Sequence, residues 1–351
     1  MRRLAFALIL LFAPAAAAPP DYPAIGPNPP LQFPRDHGAH PEFRTEWWYL
    51  TGWLSDSAGA PLGFQVTFFR SRPAIDQDDP SAFAARQVVM AHAALSDPRL
   101  GHLLHDQRSA RLGFGRASFG ESGFGLSLGD WRWTDEADGG FVISVPADGF
   151  TLTLHASPTQ APLLEGPDGV SAKGQGAASR YYSLPHLAVT AQTERDGRRQ
   201  TLSGEAWFDH EWSSTLLPDG AVGWDWTALD LADGGALMAF RVRDARGGAL
   251  WSGGTWRGAD GRVEYLSDSA IRFTPGRIWR SPRSGAAYPV ETAVEATIGG
   301  RRRVFSLTPL LDDQELDSRL AGGPIYWEGA VSCDSGRGYL ELTGYDRAVA
   351  F

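Results

Sequence analysis

The sequence predicts an all-β chain made of two related antiparallel β domains in tandem. Three observations carry this. The chain holds 41 Gly and 24 Pro, which break it into short segments crowded with aromatic and β-branched residues, Trp alone occurring 13 times. Helical periodicity is nearly absent, with only 312–320 fitting one short helix. Finally, the chain repeats itself: Trp224 to Asp233 lies on Trp47 to Asp56 without a gap, Trp224 over Trp47, Leu231 over Leu54 and Asp233 over Asp56.

Taken in order, Arg2-Arg3, the apolar run Leu4 to Phe12 and Ala15 to Ala18 form an export signal with a small-residue cleavage site. Residues 1–18 are therefore expected to be removed, leaving a periplasmic or secreted protein. Residues 19–34 are a proline-rich, extended lead-in. The first domain is expected over 35–212. It opens with Glu46 to Leu54, whose hairpin partner Gly63 to Arg70 follows a turn at Ser55 to Gly59. An acidic surface loop at 75–80 precedes strands over 87–95, 117–128, 131–133, 141–145 and 150–155. A Gly/Ala/Ser-rich loop is expected over 166–178, then strands over 181–185, 187–192 and 201–212. The second domain, 213–351, starts with Trp224 to Asp233 and Ala236 to Arg243. It continues through 251–256, 271–279, 290–298 and 304–310, and closes with 326–331 and 338–342. Strands spaced about 8 to 12 residues apart suggest meanders that close as barrels or sandwiches.

Hydrophobic residues at 43% and charged residues at 21% describe a globular chain. No stretch reaches the ~20 apolar residues of a membrane-spanning helix. The formal net charge of −9 repels nucleic acid and anionic surfaces, so a neutral or apolar small ligand is the expected partner. Peripheral membrane contact is compatible with this composition, and the oligomeric state is left open. The lone Cys333 excludes an intramolecular disulfide.

Three stretches concentrate chemistry. In Glu46-Trp47-Trp48-Tyr49, alternation puts Glu46 and Trp48 on one face and Trp47 and Tyr49 on the other, one side lining a cavity and the other covered. Glu46 is either paired with Arg44 or Arg70 or used chemically. In Gly204 to Trp212, His210 and Trp212 share a face that is expected to meet a pocket, while Asp209 and Glu211 face away from it. Trp224-Asp225-Trp226 sets a carboxylate opposite two indoles. An Asp225 pointing into an apolar cavity would be raised into a usable acid; the alternative is a hydrogen-bonded structural aspartate. His37 and His40 lie on a loop, without a HExxH motif or a Cys pair, so no metal site is expected. His92 and His155 fit strand interiors. No GxSxG elbow, phosphate loop or dinucleotide fingerprint is present.

The residues Asp36-His37-Gly38-Ala39-His40-Pro41, Glu46 to Gly52, Phe64 to Arg70, Tyr181-Tyr182-Ser183, Gly204 to Trp212, Gly223 to Trp226, Tyr326 to Gly329 and Gly338 to Tyr345 resemble the secreted lipocalin-like family related to carotenoid 1,2-hydratase. The resemblance spans nearly the whole mature chain. It implies two tandem lipocalin-like antiparallel β-barrels and addition of water to a terminal C=C bond of an isoprenoid, with no cofactor. Such chemistry needs a protonated carboxylic acid, aromatic faces for a carbocation and a held water. The resemblance points first to Asp225 as the acid, with Asp209 or Glu46 in reserve and His210 positioning water. Trp47, Trp48, Tyr49, Tyr182, Trp212, Trp224 and Trp226 would line the ligand site. A carrier of an apolar isoprenoid or lipid, and a secreted hydrolase, are the alternative readings.

Overall fold

The computed structural model describes residues 21–349 apart from Asp138. The expected signal segment lies outside the described residues. The first sheet comprises β1 (Thr45–Ser55), β2 (Pro61–Ser71), β3 (Val88–Ser96), β4 (Leu103–Arg111), β5 (Ala117–Ser118), β6 (Gly125–Leu128) and β7 (Trp131–Asp135). It continues with β8 (Phe141–Ala147), β9 (Phe150–Ser157), β10 (Leu163–Leu164), β11 (Val170–Gly174), β12 (Ala177–Arg195) and β13 (Arg198–Thr215). Then follow β14 (Gly223–Leu231), β15 (Ala236–Arg243), β16 (Ala249–Arg257), β17 (Val263–Leu266), β18 (Ile271–Pro275), β19 (Trp279–Arg280) and β20 (Ala287–Tyr288). The chain closes with β21 (Thr292–Ile298), β22 (Arg301–Pro309), β23 (Glu315–Asp317), β24 (Ile325–Cys333) and β25 (Gly336–Thr343).

All pairings are antiparallel, and the sheets repeat one topology. The first runs β4-β3-β2-β1-β13-β12-β9-β8-β7-β6-β5, and the second β17-β16-β15-β14-β25-β24-β22-β21-β18. β1 and β14 thus occupy the same place, each between its hairpin partner and the last strand of its own sheet. Each sheet curls into a nearly closed barrel of the lipocalin-like kind. The first barrel is packed from within by Trp48, Leu50, Phe68, Trp131, Trp133 and Phe208, the second by Leu229, Tyr288, Val294, Trp327 and Leu342. A third apolar cluster, with Tyr49, Trp53, Tyr181, Trp207, Trp226, Phe240 and Tyr339, lies where the barrels meet back to back.

Two sequence expectations change. The 312–320 stretch is not an α-helix: β23 pairs with β24, the Ser281 and Ser284 hydroxyls hold Glu315 at 2.7 and 2.6 Å, and only the short 3-10 turn Arg319–Ala321 follows. The 166–178 loop contains β11, which pairs with β12 and brings Lys173 inward. β4, over a stretch that the sequence leaves unassigned, pairs along its length with β3, a charged edge strand of the kind that resists further pairing. The lead-in is fixed by Arg180, which donates to the Gly26 and Pro29 carbonyls at 2.8 and 3.0 Å.

Candidate functional site

Strand alternation sorts the site residues into two groups. On the inner face of the first barrel, Glu46 sits opposite Trp212 and Arg70, and Trp48 opposite His210. Glu46 is fully buried. Its Oε2 accepts from Arg70 Nε at 2.8 Å, and its Oε1 lies 2.8 Å from His40 Nδ1 and 2.9 Å from His210 Nε2. The structural alternative for Glu46, pairing with Arg70, is thus the observed one. Burial opposes charge here, yet hydrogen bonds from His210 and His40 and the Arg70 guanidinium hold the carboxyl well below its usual range. Burial likewise opposes protonation of His40, but Asp36 and Glu46 raise it to about 9. His210 is pushed down by burial and packs flat on Trp48. Tyr182 Oη lies 2.6 Å from His37 Nδ1 and 3.2 Å from His210 Nδ1.

His40, Glu46 and His210 are the one group among the described residues whose composition could hold a metal ion. The Glu46 oxygens are already engaged by a guanidinium and two imidazoles, and an ion would have to displace the proton on His40. The arrangement fits an ion-paired clamp that fastens the 35–40 segment inside the barrel mouth.

Asp225 is likewise a clamp. It faces into the second barrel, away from Trp224 and Trp226, and accepts from Arg241 Nε at 2.6 Å, Arg243 Nε at 2.8 Å and Tyr345 Oη at 2.9 Å. Both carboxylate oxygens are thus occupied by donors, the hydrogen-bonded arrangement of the structural alternative and not a carboxyl open to an apolar cavity. His155, fitted to a strand interior, instead projects outward beside Glu136.

The second group lines a cavity of about 290 Å³ between the barrels. The first barrel supplies Trp47, Tyr49, Phe69, His92, Tyr181, Asp209 and Glu211; the second supplies Trp224, Trp226, Phe240, Tyr326, Glu328 and Glu341. Trp47 and Trp224, matched by the sequence repeat, both line it. The expected face of Gly204 to Trp212 is reversed: the acids meet the cavity, while His210 and Trp212 turn into the first barrel. Trp48 and Tyr182 are also core residues of that barrel.

Asp209 is buried in this wall. Its Oδ1 accepts from Ser183 Oγ at 2.5 Å and Trp207 Nε1 at 2.7 Å, and burial pushes it up to about 7. Glu328 and Glu341 stand directly opposite each other on β24 and β25. Burial raises Glu341 to about 7, while its Oε1 accepts from Thr343 Oγ1 at 2.7 Å and Trp224 Nε1 at 3.0 Å. Burial and the neighbouring Glu341 push Glu328 well above the usual carboxylate range. Gln65 Nε2 donates to Glu328 Oε2. Tyr49 Oη, His92 Nε2 and Glu328 Oε1 are buried polar atoms with no hydrogen-bond partner in the protein. Buried polar atoms are nearly always satisfied, so three orphans beside one cavity mark a place for a water or a polar ligand atom. Lys173 closes another part of the wall, 3.0 Å from Glu211 and 4.0 Å above the Phe240 ring.

Sequence reasoning missed Glu328, Glu341, His92 and Lys173 as site residues. The first two carried a legible mark: Tyr326-x-Glu328 and Tyr339-x-Glu341 alternate like Trp207-x-Asp209, placing an acid and an aromatic on one face. His92 and Lys173 carried no comparable mark.

The family model described as AttH-like matches residues 24–345. The chain belongs to the AttH-like family. An AttH protein from Nitrosomonas europaea is 46% identical in sequence, with a TM-score of 0.85, covering 92% of this chain and 99% of that one. Kievitone hydratase from Nectria haematococca shares the fold at 16% identity, with a TM-score of 0.67, covering 94% of this chain and 99% of its own. CghA, solved with Sch210972, shares it at 13% identity and a TM-score of 0.56, covering 94% and 98%. No curated protein matches in sequence. The AttH-like chain thus shares its fold with kievitone hydratase and CghA.

Proposed function

We propose that this AttH-like protein adds water across a carbon–carbon double bond of an apolar ligand seated between its barrels, with Asp209 as the proton donor. The observation that carries the reading is a buried carboxyl group, raised to about 7, in the wall of an aromatic cavity that Glu328 and Glu341 also line. The best general acid has a pKa near the working pH, and such groups contribute ~10²–10⁴-fold in rate. Asp209 meets that condition without a metal or redox partner having to act on the proton.

In this reading Oδ1 of Asp209 stays bound to Ser183 and Trp207, and the proton on Oδ2 passes to the alkene carbon. The resulting cation lies among Trp47, Trp224 and Trp226, whose faces attract positive charge. A water held at the orphaned Tyr49, His92 and Glu328 atoms attacks the cation, and Glu341 takes the proton that this water loses. A new C–H and a new C–O bond replace the π bond, and no electron leaves or enters. The volume, at the low end of the ~300–1,000 Å³ of small-molecule sites, suits the end of an isoprenoid chain better than a whole carotenoid. With its leader, the protein would do this in the periplasm or outside the cell.

The test is incubation of the mature protein with squalene and acyclic carotenoids in H2(18)O, followed by mass spectrometry. One labelled hydroxyl per product is expected, falling at least ~100-fold in Asp209→Asn. Unchanged product from Asp209→Asn would remove the acid assignment. Intact isoprenoid co-purifying without turnover would instead make the cavity that of a carrier.

A further inference from the structure

One buried acid has no part in that scheme. Glu165 follows β10 and is wholly inaccessible to solvent. Its Oε1 lies 2.8 Å from Ser183 Oγ, the same hydroxyl that lies 2.5 Å from Asp209 Oδ1. Ser183 has one proton and two carboxyl neighbours. Were both carboxyls ionised, one contact would set oxygen lone pair against lone pair beside two uncompensated anions, so at least one of them carries a proton. Trp207 Nε1 already donates into Asp209 Oδ1, which marks that oxygen as an acceptor and places the shared proton on Glu165, donated to Ser183 Oγ. Burial raises Glu165 to about 8, above Asp209, in the same order.

Beyond Glu165 the path continues toward the outside. The Glu165 carboxyl borders Thr255, whose Oγ1 accepts from the Gly166 amide at 3.3 Å. Thr255 lines a separate hollow of about 230 Å³, shared with Val170, Tyr265 and Asp268. The series Thr255, Glu165, Ser183, Asp209 therefore links that hollow to the cavity.

We propose that Glu165 is a proton reservoir that recharges Asp209 through the Ser183 hydroxyl after each turnover. This rests on Asp209 being the donor. The Glu165 O–H bond breaks and its proton goes to Ser183 Oγ. The former Ser183 proton goes to Asp209 Oδ1, and a cavity water that takes it up hands one proton to Oδ2, the donor position. Glu165 is left as a carboxylate and takes the Thr255 hydroxyl proton, which water in the hollow replaces, balancing the proton that Glu341 releases. Glu165 and Ser183 touch no ligand and act only through Asp209.

Two measurements on the full mature chain test this. The infrared carbonyl absorption of protonated carboxyls, followed without ligand at pH 7, should lose one component in Glu165→Gln, and that component should shift in Ser183→Ala. A band indifferent to Glu165→Gln overturns the placement of the proton. With squalene, Glu165→Gln should keep the first-turnover rate, enzyme in excess, and lose about tenfold or more in steady-state turnover. Ser183→Ala should lose steady-state turnover as well, and Ser183→Thr should keep it. Steady-state turnover equal to wild type in both Ser183→Ala and Glu165→Gln overturns the relay alone. No turnover by wild type overturns the Asp209 reading and the relay's task with it, while the carboxyl band still reports where the proton sits.

Discussion

Asp209 and Glu341 are held at about the same pH by the same cause, burial, yet the proposed reaction needs one protonated and the other ionised. Above about pH 7 Asp209 loses the proton it must donate. Below about pH 7 Glu341 gains the proton that blocks it as a base. kcat/KM should therefore follow a bell centred near pH 7, falling tenfold per pH unit on each limb. Glu341→Gln should lower the maximum and abolish the acid limb, leaving the alkaline one. A wild-type profile that is flat from pH 5 to 9 would separate both carboxyls from the rate-limiting chemistry. The clamp residues Glu46 and Asp225 have no place in this scheme, because each is engaged by guanidinium groups inside a barrel, away from the cavity. Their choice as reserve and first-choice acid has a physical origin. Alternation tells which face a carboxylate shares, but the arginines that neutralise Asp225 lie across β15, where only strand register could reveal them.

At the scale of elements, the sequence made the faces legible and the neighbours less so. Glu46/Trp48 against Trp47/Tyr49, and Asp209/Glu211 against His210/Trp212, are split as alternation requires. Which side of β13 is chemically useful was not legible, because an interior packed with Trp48, Phe208 and Trp212 and a ligand cavity both demand aromatics. The repeat of β1 in β14 was legible, since it fixes two strands with equivalent partners. Short or charged strands such as β4, β11 and β23 were not, since tertiary pairing and not propensity forms them. The meeting of the barrels depends on close strand approach. Gly338 in β25 accepts from Trp53 Nε1 of the first barrel at 2.9 Å, and a Cβ at 338 would stand 1.8 Å from the Ala228 carbonyl oxygen. Gly338→Ala is therefore expected to destabilise the protein by ~1–3 kcal/mol and lower its thermal midpoint. An unchanged midpoint would mean that β14 and β25 part more readily than their register implies.

For the whole molecule, two similar barrels placed back to back create a cavity that neither contains, and that design carries a stability penalty set by pH. Burial raises Asp209, Glu165, Glu341 and Asp230 above their unfolded values, to about 7, 8, 7 and 7. For groups raised in the folded state, the stabilisation is complete below the unfolded value, about 4, and is lost as pH rises through the folded one. A carboxyl moved from 4.5 to about 7 makes the folded state ~3 kcal/mol less favourable once it ionises. The clamps work in the opposite sense. Asp36 and Glu46 are held low in the fold, so their stabilisation is present above about pH 4 and is lost as pH falls below it. The two limbs predict greatest stability near pH 5, on the acid side of the proposed activity maximum. Urea unfolding should show it: Glu341→Gln should be more stable than wild type at pH 8, by up to ~3 kcal/mol, and no more stable at pH 4.5. Parallel curves for the two proteins across this range would mean that Glu341 keeps its ordinary pKa in the fold, and the proposed base would lose its physical ground. A separation at high pH would show the molecule giving up stability where its proposed chemistry needs a buried acid.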